Sequence, residues 1–315
     1  MNRGALLAAL LVLVGGVVSY TLHQLKKDSP NGNRLTLSSQ ANPDGGGEGG
    51  PKDGGPPEII EVLPAEEEIL DAAGTPDSKN RYLSTVVVSL HKPKEGAECS
   101  GVIIGPRHVL TAAHCVCKPP KSPSGRGVPT AMVDHTQCSE QAYASTVRFS
   151  STHSADSVEL RTYHGSVHPH PEFKMLVDGD GYIVSVTADL AVVMLQKALE
   201  EKLPELRLGE DEIQSHEVLV MAGYGHGEEW GGGYDRYYRS NKIIGPENSS
   251  KDRFIYQQQG AFIYNGFDGG PCFREQGAQR WLAGIASVGS EKALTLTSIF
   301  AHRAWIQSEL QRVPQ

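Results

Sequence analysis

No cluster of Lys or Arg forms a basic stripe along this chain of 315 residues, whose formal net charge is −8. A nucleic acid partner, which would need such a stripe to neutralise phosphates, is therefore not expected. Internal repeats are absent, and long runs of helical hydrophobic period are few. Cysteine is sparse. There are only five, and the first is Cys99, so no lipid-attachment cysteine follows the apolar amino terminus. An Ala-x-Ala cleavage site is also missing there, leaving only the weak site Val17-Val18-Ser19.

What the chain does contain is ordinary globular composition, 39% hydrophobic and 21% charged. That leaves room for a domain of about 230 residues with appendages. Met1-Asn2-Arg3 is a short positive start, Gly4 to Leu22 is an uncharged and mostly apolar run, and Lys26 and Lys27 come next. Residues 1–27 thus read as a secretory signal peptide or a single-span membrane anchor, and either one exports the remainder of the chain to the periplasm, the cell surface or the medium. Membrane contact is expected only through this segment. Residues 28–71 read as a linker. Residues 28–57 are rich in Gly, Pro, Ser, Asn and Asp, cannot bury a core, and give a flexible tether with a reach of roughly 30 Å. Glu58 to Leu70 is acidic and reads as a short helix or a strap.

From Asn80 onward, short apolar runs alternate with turn signals: Tyr82–Leu90, Val102–Ile104 before Gly105-Pro106, Tyr182–Val186, Leu190–Leu195, Val218–Met221 and Trp281–Ile285. Many short strands argue for an all-β sandwich or barrel.

Three segments carry chemistry in order. Cys99-Ser-Gly-Val-Ile-Ile-Gly-Pro-Arg-His-Val-Leu-Thr-Ala-Ala-His114-Cys115 contains the most specific motif, Thr111 to Cys115. Asp189 opens Asp-Leu-Ala-Val-Val-Met-Leu195, and residues 264–273 read Tyr-Asn-Gly-Phe-Asp-Gly-Gly-Pro-Cys-Phe. Together they resemble the trypsin-like serine protease family: its histidine region, its Asp-Ile-Ala-Leu-Leu strand and its Gly-Asp-Ser-Gly-Gly-Pro signature. Val218–Gly225, Gly284–Gly289 and Ala301–Leu310 resemble further family segments, so the resemblance spans about residues 72–312 and assigns 72–315 to the domain. It implies an all-β fold of two packed Greek-key β-barrels with a C-terminal helix, whose apolar positions Ala301, Ala304, Trp305 and Leu310 share one face.

The resemblance implies a catalytic histidine at His114, oriented by the carboxylate of Asp189. Aligned without a gap, it also puts Phe267 at the aspartate of the signature and Asp268 at the nucleophilic serine; a one-residue deletion instead makes Asp268 the aspartate. Either way the serine is missing. The Asn265-Gly266 segment, through the backbone N–H of Gly266, stands at the oxyanion hole. Phe262, Ser287 and Gly289 stand at the specificity pocket, with Phe262 favouring apolar groups over Lys or Arg. Cys99 and Cys115 staple the turn that carries His114. Cys117 pairs with Cys138, closing a loop worth roughly 3 kcal/mol, or alternatively with Cys272; in the first case Cys272 stays single as a small buried hydrophobe. His164, His168 and His170 have a spacing that can bind metal, but Val167-His168-Pro169 resembles a strand ending of the family. No metal and no cofactor is called for.

The zymogen switch of the family is missing as well. Residues 70–76, Leu-Asp-Ala-Ala-Gly-Thr-Pro, provide no Ile-Val-Gly-Gly-type start, and Phe267 replaces the aspartate that would pair with the freed ammonium. The expectation is an exported serine protease homologue that is a catalytically inactive pseudoprotease and binds a protein or peptide. Loop 225–238, rich in Gly and Tyr, is either an adaptable binding loop or a solvated hairpin end. The competing expectations are an active serine-type endopeptidase with an unorthodox site and a purely structural envelope module.

Overall fold

The computed structural model describes residues 74–92, 99–117, 131–150, 158–179, 183–200, 203, 206–225, 235–258, 267–277, 279–288 and 293–313. The segments 1–27 and 28–73 lie outside them. So do loop residues 226–234 and the site candidates Phe262, Gly266 and Gly289. No helix among the described residues is long and apolar enough to cross a membrane.

The strands, in chain order, are β1 (Thr75–Pro76), β2 (Thr85–Ser89), β3 (Cys99–Gly105), β4 (His108–Thr111), β5 (Ala131–Asp134), β6 (Gln141–Phe149), β7 (Val158–Pro169), β8 (Lys174–Val177), β9 (Ile183–Thr187) and β10 (Ala191–Leu195). They continue with β11 (Arg207–Leu208), β12 (Val218–Tyr224), β13 (Arg236–Pro246), β14 (Arg253–Gln257), β15 (Pro271–Gln276), β16 (Gln279–Val288) and β17 (Leu294–Ser298); helix α1 (Ile299–Leu310) closes the described chain. Each apolar run read from the sequence contributes a strand.

Two barrels result. In the first, β10-β4-β3-β2-β6-β7 closes as β7 pairs back with β10. In the second, β13-β12-β15-β16-β17-β14 closes as β14 pairs with β13. Closure pairs the strand edges that an open sheet would leave to water or to another chain. Strands β2 and β10 are buried along their whole length, as their unbroken apolar runs require. A separate three-stranded sheet, β5-β8-β9, lies off the barrels.

Polar groups stitch the barrels together. The Ser100 N–H on β3 donates to the Asp268 carbonyl at 2.8 Å. The Tyr224 N–H donates to Ser100 Oγ at 2.9 Å, and its hydroxyl donates to the Thr85 carbonyl at 3.1 Å. Arg236, buried on β13, donates from Nε to Asp77 at 2.7 Å and from its Nη1 to the Val147 carbonyl of the first barrel at 2.9 Å. Asp77 also accepts the backbone N–H groups of Arg81 and Tyr82. The segment ahead of the first barrel is thereby fixed by an internal ion pair, and Thr75 and Pro76 lie along β13 opposite Tyr238 and Tyr237.

Helix α1 corrects one expectation. Its buried residues are Ile299, His302, Ile306 and Glu309, while Ala301 and Ala304 face solvent. The apolar stripe was misplaced because two polar residues sit on the packed face, where hydropathy does not look for them. Strand β7 ends at Pro169, as the resemblance of Val167-His168-Pro169 to a strand ending implies, so His164 and His168 lie within it and His170 falls just past its end.

Candidate active site

His114 sits on a single 3-10 turn, Ala113–Cys115, directly after β4. The disulfide Cys99–Cys115 ties that turn back to β3. Asp189 stands two residues ahead of β10, which pairs with β4, and its side chain is fully buried. The strand pairing therefore delivers the two residues to each other. Asp189 Oδ2 lies 2.7 Å from His114 Nδ1, and Oδ1 accepts the His114 backbone N–H at 2.8 Å. The two oxygens grip both the ring and the main chain, which leaves the imidazole a single orientation.

Ser287, which the resemblance puts at the specificity pocket, turns its hydroxyl to this pair. It donates to Asp189 Oδ2 at 2.5 Å and accepts from Arg253 Nη1 at 3.0 Å. Arg253 in turn pairs with Glu247 at 2.6 Å and donates to the Val288 carbonyl at 2.6 Å. Sequence reading missed Arg253 and Glu247 entirely. Their only signal was charge in positions flanking an apolar strand, a pattern common on solvated surfaces.

The third residue approaches from the second barrel. The turn from Phe267 to Gly270 enters β15 and is held by Gly269 N–H to the Ala286 carbonyl at 2.8 Å and Gly270 N–H to the Phe267 carbonyl at 3.1 Å. Gly269 has φ +81°, and a Cβ there would stand 2.3 Å from both the Ser100 carbonyl and Thr111 Oγ1. Only glycine fits. The turn presents Asp268 with Oδ2 3.7 Å from His114 Nε2. Phe267, beside it, is buried against Gly223, where a Cβ would come within 2.4 Å of its ring. The Arg239 guanidinium lies over that ring at 5.8 Å from its centroid. An aromatic contact thus holds the turn where the family's aspartate would stand in the gapless alignment.

One imidazole consequently faces two carboxylates. Burial works against its charged form, but the ion pair and hydrogen bond with Asp189, aided by Asp268, overcome that and raise the His114 pKa to about 10. Burial likewise opposes the Asp189 carboxylate, yet the His114 charge and the bonds from His114 and Ser287 hold its pKa below the ordinary value.

The disulfides Cys99–Cys115 and Cys117–Cys138 are both formed, and Cys272 is a free, buried thiol in the core of the second barrel. Burial pushes that thiol up. The donor atoms of Cys99, His114 and Cys115 cluster, but both sulfurs are already bonded to each other. The three histidines of the β7 region diverge: His164 bonds Gln141, His168 bonds Ser166, and His170 contacts His302.

Two six-stranded barrels with a His–Asp dyad carried by the first and a glycine-rich turn brought up by the second define a chymotrypsin-type peptidase fold. The sequence model of the trypsin-like peptidase domain matches residues 99–282, which is more than half of the chain and includes His114, Asp189 and Asp268. The chain belongs to that family. No curated protein matches it.

Proposed function

We propose that this is an exported trypsin-like serine protease homologue without peptidase activity, which acts by binding a protein or peptide through its surface loops and vestigial cleft. The observation that carries the reading is the carboxylate of Asp268 facing His114 Nε2 at 3.7 Å. In an active triad that nitrogen takes the proton of a serine hydroxyl and returns it to the leaving group. Here it faces a group with no proton to give. The ion pair with Asp189, aided by Asp268, raises the His114 pKa and favours the ring already protonated, which weakens it as a base. A carboxylate is a poor nucleophile toward an amide, since attack gives a mixed anhydride that reverts. Its charge would also oppose the developing oxyanion. Loss of a triad serine costs on the order of 10⁶ in turnover in an unrelated protease.

Export is supported by two disulfides, which persist in oxidising compartments. The aromatic seat of Phe267 and the internal Asp77–Arg236 clamp support a domain that reaches its final form without a cleavage-generated amino terminus. Labelling with a fluorophosphonate probe tests the reading. An activated serine reacts covalently, so no His114-dependent label is expected; a label lost in His114→Ala assigns the domain to the active endopeptidases instead.

A further inference from the structure

Helix α1 meets the first barrel through a buried chain of polar groups whose proton positions are fixed by one donor. The Glu172 backbone N–H donates to His170 Nδ1 at 3.1 Å. That nitrogen must therefore carry a lone pair, and the proton of neutral His170 sits on Nε2. His170 Nε2 lies 3.2 Å from His302 Nδ1, which must accept. The proton of His302 is then on its own Nε2, 3.1 Å from Asp252 Oδ2. Ser250 Oγ donates to the other oxygen of Asp252 at 2.5 Å. Every donor meets an acceptor only while both imidazoles are neutral. Both residues are buried, and Trp305 packs edge-on against His170 at 4.7 Å between ring centroids.

We propose that His170, His302 and Asp252 form a proton-sensitive latch that closes helix α1 onto the first barrel at neutral pH and opens in acid. A proton added to His170 lands on Nδ1, against the Glu172 N–H. A proton added to His302 lands on Nδ1, against the His170 Nε2–H, and His170 cannot swap tautomer without meeting the Glu172 N–H again. Protonating either ring therefore breaks a buried hydrogen bond, and protonating both sets two cations in contact. Asp252 is the anion facing the pair, with Arg253 next to it in the chain and bonded to Glu247. On the neighbouring turn of the helix, Glu309 faces His168 and pairs with Arg312, and His108 packs beside them.

The latch joins parts that matter to the site. The His170 backbone N–H donates to the carbonyl of Leu190, the residue after Asp189, and Asp252 precedes the arginine that holds Ser287. Burial, followed by the repulsion of His302, lowers the His170 pKa to about 4. A folded pKa below the ordinary 6.5 means stability that is complete above 6.5 and is lost as pH falls toward 4. Between pH 7 and pH 5 that shift weakens closure by about twentyfold.

Hydrogen exchange of the α1 amides in the full chain, corrected for intrinsic rates, reads the latch directly. Wild type should open about twentyfold more at pH 5 than at pH 7. In a His170→Gln, His302→Gln double variant, whose amides keep a donor and an acceptor but do not titrate, the difference should fall below about fivefold. A wild-type difference below that threshold overturns the proposal, and so does a variant difference above it, which would assign the effect to His168 and His108. Should the variant not fold, nitrogen-15 spectra of the wild-type rings at pH 7 decide alongside the wild-type exchange: both imidazoles must carry their proton on Nε2, and an Nδ1–H on either one overturns the latch.

Discussion

The Asp268 carboxylate stands 3.7 Å from Nε2 of His114, while Asp189 holds the other ring nitrogen at 2.7 Å. The imidazole is thus bracketed by negative charge, and its proton is stabilised from both ends. The titration of His114 should show it. In wild type the ring should titrate near pH 10, and in Asp268→Asn at a clearly lower pH. Two-dimensional NMR of the ring protons measures both. A wild-type value at or below that of Asp268→Asn contradicts the bracketing.

The same pair sets a pH window for stability. His114 has a folded pKa above its ordinary 6.5, so its contribution is complete below 6.5 and is lost as pH rises toward 10. Asp189 has a folded pKa below its ordinary 3.8, so its contribution is complete above 3.8 and is lost in stronger acid. Urea unfolding from pH 6.5 to pH 10 should therefore show falling stability in wild type and a flatter profile in Asp189→Asn.

Ser287→Ala removes a donor from Asp189 and an acceptor from Arg253, both buried. The expected loss is about 1–3 kcal/mol in urea unfolding, the cost of leaving such groups unsatisfied. A loss below about 0.5 kcal/mol would show that the hydroxyl does not support the dyad.

Breaking the Asp77–Arg236 pair is expected to cost more. Asp77→Ala leaves a buried guanidinium without its anion, a change worth about 3–5 kcal/mol. Replacing both residues by apolar ones should cost less than the single change, because no buried charge is then left over. Denaturant midpoints of the three proteins check the order.

Much of this was legible in the sequence, and the rest has a physical pattern. The strand runs were readable from local β-branched patterns, and His114, Asp189 and the Cys99–Cys115 pair from motifs that resemble the family's; Cys117 had two possible partners, and the structure pairs it with Cys138. The polar supports were not. Arg253, Glu247, Asp77 and Arg236 join segments far apart in the chain, and each looks alone like a solvated charge. Helix α1 misled for the same reason, since His302 and Glu309 occupy its buried face. Periodicity finds apolar stripes and passes over buried networks whose partners come from elsewhere.

Cys272 should behave as the only thiol in the chain and as an inert one. Burial raises its pKa and screens it from reagents, so iodoacetamide should modify one cysteine per chain after unfolding and none in the native protein. Rapid native labelling would place the residue outside the core.

Restoring the serine should not restore the enzyme. Asp268→Ser returns a hydroxyl to face His114, yet Phe267 still holds the turn by packing against Gly223 rather than by an ammonium–aspartate pair. In an enzyme, removal of one oxyanion-hole donor costs about 10²–10³ in rate, so an active site needs this turn ordered as well as a hydroxyl. Turnover of the single variant on peptides with apolar residues before the scissile bond should stay far below the order of 1 s⁻¹ found in ordinary enzymes. A rate of that order would show the cleft to be catalytically formed.

The central claim is that the wild-type site performs no peptide hydrolysis, and a single comparison addresses it. The full chain and its His114→Ala variant are incubated with a pooled peptide library, and cleavage products are counted by mass spectrometry. The account predicts the same background from both proteins. Cleavage by the wild type that disappears in His114→Ala would contradict it.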